Sequence, residues 1–198
     1  LREGAVCPQQ PNKATFNANG MSENCLFLNV FVPGGSLNAS GLPVMVWVHG
    51  GGFVIGSGGD YYFGPQFLMD QDFILVTINY RLGALGFLGL GNPTAPGNTG
   101  LWDQHLALTW VQDNIQAFGG DPTRVTLAGE SAGSFSVMYH LVSPTGRGLF
   151  NGIIAQSGAP FSTLISPELM PADKPRRHAT VLANSFACDT SSDEALLS

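Results

Sequence analysis

The sequence has 198 residues, of which 44% are hydrophobic, so it is long enough to bury the core of one domain. Its formal net charge is −6, and it contains no run of basic residues. A surface of this charge does not suit the phosphates of nucleic acid or anionic lipid, and we expect neither as a partner. The longest apolar runs, at 43–48 and 73–78, are too short to cross a bilayer, so no transmembrane segment is predicted.

The first two of the three cysteines, Cys7 and Cys25, flank a polar stretch that shows no strand or helix pattern. A surface loop closed by a disulfide between them is one interpretation, and it would stabilise the fold by about 3 kcal/mol. Three reduced thiols in a cytosolic protein are the other, and the cysteines alone do not decide between them. Asn38-Ala39-Ser40 is an acceptor sequence for N-glycosylation, which favours a secreted protein.

Apolar runs typical of buried strands alternate with helical patterns along the chain. The runs lie at 44–49, 73–80, 124–129 and 151–158. Apolar residues recur at helical spacing over 101–118, and the Gly-Gly-Asp-Pro sequence at 119–122 is expected to end that helix. Further helices are expected from Ser131 through His140 and around 178–186. Crossovers of this length predict an α/β fold, with a mainly parallel sheet and helices on both faces.

The sequence Gly129-Glu130-Ser131-Ala132-Gly133 lies directly between a predicted strand and a predicted helix. A strand-to-helix turn this sharp strains the backbone of the serine, and it leaves room only for glycine at the two flanking positions. The Ser131 hydroxyl is then exposed at a helix N-terminus, where backbone N–H groups favour developing negative charge. This context predicts that Ser131 is a catalytic nucleophile.

A second motif, His49-Gly50-Gly51-Gly52-Phe53, follows the strand predicted at 44–49. Three successive glycines leave backbone N–H groups uncovered by side chains, and such a run can surround an oxyanion. Taken alone, the motif is more typical of a flexible loop at the end of a strand. Together with the serine turn it supplies the second part of an acyl-transfer site.

These residues carry a resemblance to the type B carboxylesterase and cholinesterase family, whose members have the α/β-hydrolase fold. The match runs from about Cys7 to the end of the chain. It rests on SENCLFLNVFVP (22–33), HGGGF (49–53), NYRLGALGFL (79–88), GNTGLWDQHLALTWVQDNIQAFGGDP (97–122), VTLAGESAG (125–133) and GLFNGIIAQSG (148–158). Asn24 departs from the pattern, because the family usually has Asp before the second loop cysteine, and this departure affects no catalytic role.

The resemblance implies several roles. Cys7 and Cys25 would form the disulfide of the family's N-terminal loop. The oxyanion-hole N–H groups would come from Gly51, Gly52 and Ala132. His49, Gly50, Glu130 and Ser157 would lie beside the site, and Arg81 and Asp103 would form a buried ion pair that fixes geometry.

The acid and the histidine of the family's catalytic triad follow the nucleophile by well over a hundred residues, and no residue of this chain matches them. We therefore expect a partial α/β-hydrolase domain, 1–198, truncated at both ends, with a covering subdomain that begins near Ser162. Cys188 resembles a cysteine that pairs with another further along the family's sequence. The 198 residues alone are expected to be inactive, because a serine without a general base is a poor nucleophile.

The function implied is hydrolysis of a small-molecule carboxylic ester through an acyl-enzyme, with no cofactor and no metal, in a secreted protein. Uncharged esters are the expected substrates, because Thr15 and Phe16 stand where cholinesterases have a choline-binding Trp and Leu164 replaces a bulky acyl-pocket aromatic. A cholinesterase or a juvenile hormone esterase is an alternative, although the latter typically has Gln at the position of Glu130. A non-catalytic adhesion protein of the neuroligin type is another, and such proteins generally replace Ser131.

Overall fold

The structure is a computed structural model, and it describes residues 4–10, 20–34, 40–59, 64–159 and 174–197. Several of the sequence predictions lie outside these residues. They are glycosylation at Asn38, the substitutions at Thr15, Phe16 and Leu164, and the start of a covering subdomain near Ser162.

Five strands form one sheet in the order β1-β3-β2-β4-β5. They are β1 (Leu28–Phe31), β2 (Leu42–Val48), β3 (Ile74–Ile78), β4 (Gly120–Glu130) and β5 (Gly152–Gln156). The pairs β2–β3, β2–β4 and β4–β5 are parallel, whereas β1 pairs antiparallel with β3. The prediction of a mainly parallel α/β sheet is confirmed, and the antiparallel edge strand is an addition that the apolar runs did not indicate.

Of the described α-helices, two lie between β3 and β4, one lies between β4 and β5, and two follow β5. They are α1 (Gly83–Phe87), α2 (Thr99–Asn114), α3 (Ala132–Val142), α4 (Lys174–Ser185) and α5 (Asp193–Leu197). The predicted helix over 101–118 is α2 followed by a 3₁₀ turn at Ile115–Phe118. None of the described helices has the length and apolarity needed to cross a membrane.

Strand β4 begins earlier than the sequence indicated, at Gly120 instead of Arg124. Leu42 of β2 pairs with Gly120, and Val44 pairs with Val125, so the extra residues form a bulge in β4. Pro122 is tolerated in this bulge because the regular hydrogen-bond ladder is interrupted there. The whole sequence at 119–122 was expected to end the preceding helix, but that segment ends at Gly119, which has φ 87°, and the next three residues already belong to β4.

The core lies on β2 and β3 and on the helix that crosses between β3 and β4. All five residues of β3 are buried, and alternate residues of β2 are buried. Leu108 and Val111 of α2 are fully buried against this sheet. Because β2 and β4 are parallel neighbours, with Val48 paired to Gly129, the loops that follow them leave the same edge of the sheet side by side.

Candidate active site

Ser131 occupies a strained turn between β4 and α3. Its backbone has φ 53° and ψ −120°, which is rare for a residue with a side chain and costs on the order of 1–3 kcal/mol. The turn is held on both sides, because the Ser131 N–H donates to the Gln156 carbonyl at 2.9 Å and the Ser131 carbonyl accepts from the Phe135 N–H at 3.0 Å. The strain predicted for this serine is therefore present.

The two glycines that flank the turn have no room for a side chain. A methyl group on Gly129 would lie 2.5 Å from the carbonyl carbon of Gly133. A methyl group on Gly133 would overlap the Val48 carbonyl and lie 3.0 Å from the His49 carbonyl oxygen. Glycine at these positions lets α3 start directly against the ends of β4 and β2.

The three-glycine loop after β2 packs against the serine turn. A methyl group on Gly50 would lie 2.8 Å from the Glu130 carboxylate and 3.2 Å from the Ser131 Cβ. The next residues, Gly51 and Gly52, have φ of 103° and 62°, so the chain turns sharply where its N–H groups are uncovered. The structure thus brings the two predicted motifs together, and the assignment of individual N–H groups to an oxyanion hole stays a prediction.

His49 is buried at the base of this loop and is neutral. Burial lowers the pKa of its imidazole to about 4, and its Nδ1–H donates to the Gly50 carbonyl at 2.7 Å. The Tyr80 ring stacks on the imidazole with centroids 4.3 Å apart, and the Tyr80 hydroxyl donates to the His49 carbonyl at 2.8 Å. These contacts fix the start of the glycine loop.

The segment that follows β5, residues 157–158, also packs against the serine turn. Ser157 has φ 58°, and a methyl group on Gly158 would lie 2.9 Å from the Ser131 carbonyl oxygen. The Ser134 hydroxyl donates to the Gly158 carbonyl at 2.9 Å. Ser157 therefore lies beside the serine turn, and its predicted role near a catalytic triad remains untested.

The remaining histidines, His105, His140 and His178, lie on α2, α3 and α4. His140 is buried in α3 and bonds to Gln104 Oε1 at 3.0 Å, and burial lowers its pKa to about 4, with a smaller effect of the His105 charge. His178 is exposed on α4. Within the described parts of the chain, no hydrogen bond joins Ser131 to a histidine.

Arg81 and Asp103 form a two-bond ion pair next to α1 and α2. The guanidinium donates through Nε and Nη2 to the Asp103 carboxylate, at 2.7 Å in each case. The Asp103 side chain is nearly buried, and the hydrogen bonds to it raise the pKa of Arg81. The Arg81 N–H also donates to this carboxylate at 3.0 Å, so the pair fixes the path of the chain into α1.

An open cavity of about 900 Å³ lies beside the glycine loop. Apolar side chains from the loop, α1 and α2 form most of its wall: Phe53, Val54, Phe87, Leu88 and Leu101. Within the residues that the structure describes, no cluster of three His, Cys, Asp or Glu side chains could hold a metal ion.

Sequence reasoning missed two residues that support the glycine loop. Gln9, in the cysteine loop, hydrogen-bonds both backbone groups of Gly56, and Gly56 packs against His49. Gln9 lies in a stretch that no periodicity covers, so only the structure reveals its contact. The signal for Gly56 was its place in the Gly-rich continuation of the loop, at 56–59.

A strained serine between a parallel strand and a helix, faced by a glycine loop from the neighbouring strand, defines the α/β-hydrolase class of protein. Comparison with known families gives the particular group. The sequence model described as "Carboxylesterase family" matches residues 1–198, and the chain belongs to that family.

Curated relatives share about half of the aligned residues. Juvenile hormone esterase of Tribolium castaneum is 57% identical over 141 residues, which cover 70% of this chain and 23% of that protein. Cholinesterase 1 of Branchiostoma lanceolatum is 46% identical over 175 residues, which cover 88% of this chain and 48% of that protein. Thus the chain spans less than half the length of either of these relatives.

Among solved structures, the crystal structure of juvenile hormone esterase from Manduca sexta, with OTFP covalently attached, superposes with a TM-score of 0.78. The two sequences are 36% identical, and the match covers 92% of this chain and 41% of the other. This similarity agrees with the α/β-hydrolase fold described above.

Proposed function

We propose that the protein is a serine carboxylesterase with Ser131 as its nucleophile. The observation that carries this proposal is the strained Ser131 turn packed against the glycine loop at 50–52. Membership of the carboxylesterase family supports it independently. The strained turn exposes the hydroxyl of a nucleophilic serine, whereas a non-catalytic protein would gain nothing from the strain.

The reaction proposed is acyl transfer in two steps. Ser131 Oγ attacks the ester carbonyl and loses its proton to a general base, and the N–H groups of Gly51, Gly52 and Ala132 stabilise the oxyanion. Collapse of this intermediate releases the alcohol and leaves an acyl-serine, which water hydrolyses to the acid. We propose that the base and its acidic partner come from parts of the full-length protein outside these 198 residues, since the chain spans less than half of either relative.

Uncharged carboxylic esters are the proposed substrates. The cavity beside the glycine loop is mostly apolar, and among the described residues no Asp, Glu, Lys or Arg lines it. Such a wall favours an apolar group on the ester over a cation. Matched apolar and quaternary-ammonium esters would test this, and we expect the apolar ester to have the higher kcat/KM.

Juvenile hormone is a second, more specialised candidate substrate. Both a 57% identical relative and a structural neighbour are juvenile hormone esterases. The measurement that decides is kcat/KM for juvenile hormone against that for a p-nitrophenyl ester. A large excess for the hormone would assign the specialised role, and a similar or lower value would leave a general esterase.

The secretory pathway is the proposed location. Cys7 and Cys25 are buried and joined by a disulfide, and such bonds persist in oxidising compartments. The acceptor sequence at Asn38 agrees with this location. Mass spectrometry of the native protein is expected to find the disulfide and a glycan on Asn38.

The decisive experiment is labelling of the native full-length protein with a fluorophosphonate, followed by peptide mapping. We expect the label on Ser131, and none in the Ser131→Ala variant. Ser185→Ala, which removes an exposed hydroxyl in α4, is the matched control and should label like the wild type. A folded wild-type protein that does not label would favour the adhesion-type alternative.

A further inference from the structure

Gly56, which follows the glycine loop at 50–52, is held by the side chain of Gln9, which lies in the loop closed by the Cys7–Cys25 disulfide. Gln9 Nε2 donates to the Gly56 carbonyl at 2.8 Å, and Gln9 Oε1 accepts from the Gly56 N–H at 2.8 Å. A single amide side chain therefore satisfies both backbone groups of Gly56, as a neighbouring strand would do.

Gly56 in turn contacts the start of the glycine loop. It has φ 121°, and a methyl group on it would overlap the His49 imidazole and lie 2.8 Å from the Gly50 carbonyl oxygen. The Val54 and Ile55 N–H groups donate to the Gly51 carbonyl at 3.1 Å, which closes the loop into a tight turn. A shift of Gly56 would therefore move the segment 50–52, which packs against the Ser131 turn at Gly50.

Gln9 is itself held firmly. Its second Nε2 hydrogen is donated to the Cys7 carbonyl at 3.0 Å, and Cys7 is bonded to the fully buried Cys25. Asn79 Nδ2 donates to the Cys25 carbonyl at 3.0 Å and ties the same loop to the end of β3. Gly56 is thus connected to the sheet through Gln9, the Cys7–Cys25 disulfide and Asn79.

We propose that Gln9 is a positioning residue for the oxyanion hole: by clamping Gly56, it holds the N–H groups of Gly51 and Gly52 at the distance from Ser131 that the transition state requires. This inference rests on the proposed esterase function. An oxyanion hole stabilises the transition state more than the ground state, so its misplacement lowers kcat more than it changes KM.

The test compares Gln9→Ala with Gln10→Ala in the full-length protein. Gln10 is the adjacent exposed glutamine, with no hydrogen bond assigned to it among the described residues, and is the matched control. Rates are expressed per active site, counted by complete titration with a phosphonate. We expect Gln9→Ala to lower kcat by about 10- to 100-fold, with KM within about twofold of wild type, because small misplacements of catalytic groups cost this much.

Binding of a transition-state analogue distinguishes the two roles, because the loss of a merely structural contact would not change the inhibition constant measured per active site. Trifluoromethyl ketones form a hemiketal with the serine whose oxygen occupies the oxyanion hole. We expect their inhibition constant to rise in Gln9→Ala by about the factor by which kcat/KM falls. Gln9→Glu decides the matter if Gln9→Ala does not fold, because it keeps the shape and the bond from the Gly56 N–H but sets a carboxylate oxygen against two carbonyls.

Each outcome is informative. Wild-type values of kcat per site and of ketone affinity in a folded Gln9 variant would overturn this inference and leave the esterase proposal intact. Loss of active sites without a change in kcat per site would also overturn it, because Gln9 would then serve only stability. A wild-type protein that neither hydrolyses esters nor labels at Ser131 would overturn the proposed function and this inference together.

Discussion

At the scale of single residues, close backbone packing determines whether the site can exist. Gly129 and Gly133 are in mutual contact, and Gly133 also touches the chain that leaves β2. None of these contacts involves a flexible side chain that could move aside. The serine turn therefore depends on the absence of a Cβ at two positions rather than on any attractive interaction there.

Gly133→Ala is predicted to destabilise the protein strongly. Its methyl group would overlap the Val48 carbonyl, and we expect a loss of about 3 kcal/mol or more in the free energy of unfolding. Gly34→Ala is the control, because a methyl group on Gly34 meets no atom within 4 Å. Urea denaturation of both variants measures the difference, and equal midpoints would contradict the packing argument.

Acid is predicted to destabilise the protein through two buried histidines. Burial lowers the pKa of His49 and of His140 to about 4, below the ordinary value of 6.5. The unfolded chain therefore binds more protons between these values, so stability is full above pH 6.5 and falls as the pH decreases toward 4.

Thermal unfolding between pH 7.5 and 4 tests this dependence. We expect the midpoint to fall over the window from 6.5 to 4, and His140→Gln to show a smaller fall than wild type. His178→Gln is the control, since that side chain is exposed and should leave the profile unchanged. A wild-type midpoint that stays constant through this window would show that the imidazoles are not held neutral.

At the scale of secondary-structure elements, a buried polar chain joins α2 to α3. His140 bonds to Gln104 Oε1 at 3.0 Å, and Gln104 Nε2 donates to the Ser136 hydroxyl at 3.1 Å. The Ser136 hydroxyl donates to the Ala132 carbonyl at 3.0 Å, in the first turn of α3. The helix that begins at the nucleophile is thus locked to its neighbour by hydrogen bonds as well as by apolar contact.

Gln104→Leu is predicted to cost about 2–3 kcal/mol in the free energy of unfolding, because it leaves the buried Nε2–H of His140 without an acceptor and removes the bond donated to the Ser136 hydroxyl. Gln116→Leu makes the same chemical change at an exposed position and should cost little. The two urea midpoints give the comparison. A cost below about 0.5 kcal/mol for the first variant would mean that water replaces the lost amide.

The elements differ in how well the sequence predicted them. Buried runs such as 73–80 and the periodic helix over 101–118 were identified because one strong hydrophobic pattern determines them. β1 was missed because it is four residues long and only partly buried, so its apolar signal is weak. The start of β4 was misplaced because turn residues also occur in bulges.

The site was predictable to a similar extent. The Ser131 turn and the glycine loop are local motifs, and the sequence indicated both. The contact of Gln9 with Gly56 spans 47 residues, and the stacking of Tyr80 on His49 spans 31, and no local pattern encodes such separations. Long-range support of this kind becomes visible only when the sheet brings the segments together.

At the scale of the whole molecule, the disulfide links the N-terminal segment to the sheet. Cys7 and Cys25 lie 18 positions apart, and both sulfurs are buried in the core. Replacing both by serine is predicted to cost about 3 kcal/mol, because the unfolded chain regains the entropy of an open loop. The same change should lower kcat through Gln9, whereas Ser185→Ala, which removes an exposed hydroxyl in α4, should alter neither quantity.

The order of the strands has a consequence for synthesis on the ribosome. β2 lies at the centre of the sheet, and the strands made after it join outward, β3 on one side and then β4 and β5 on the other. Of the five described strands β1 is made first, but it must wait for β3, its only partner among them. A growing chain can therefore add each later strand to an edge that already exists, and the nucleophile turn is completed only after four of the five described strands have been made.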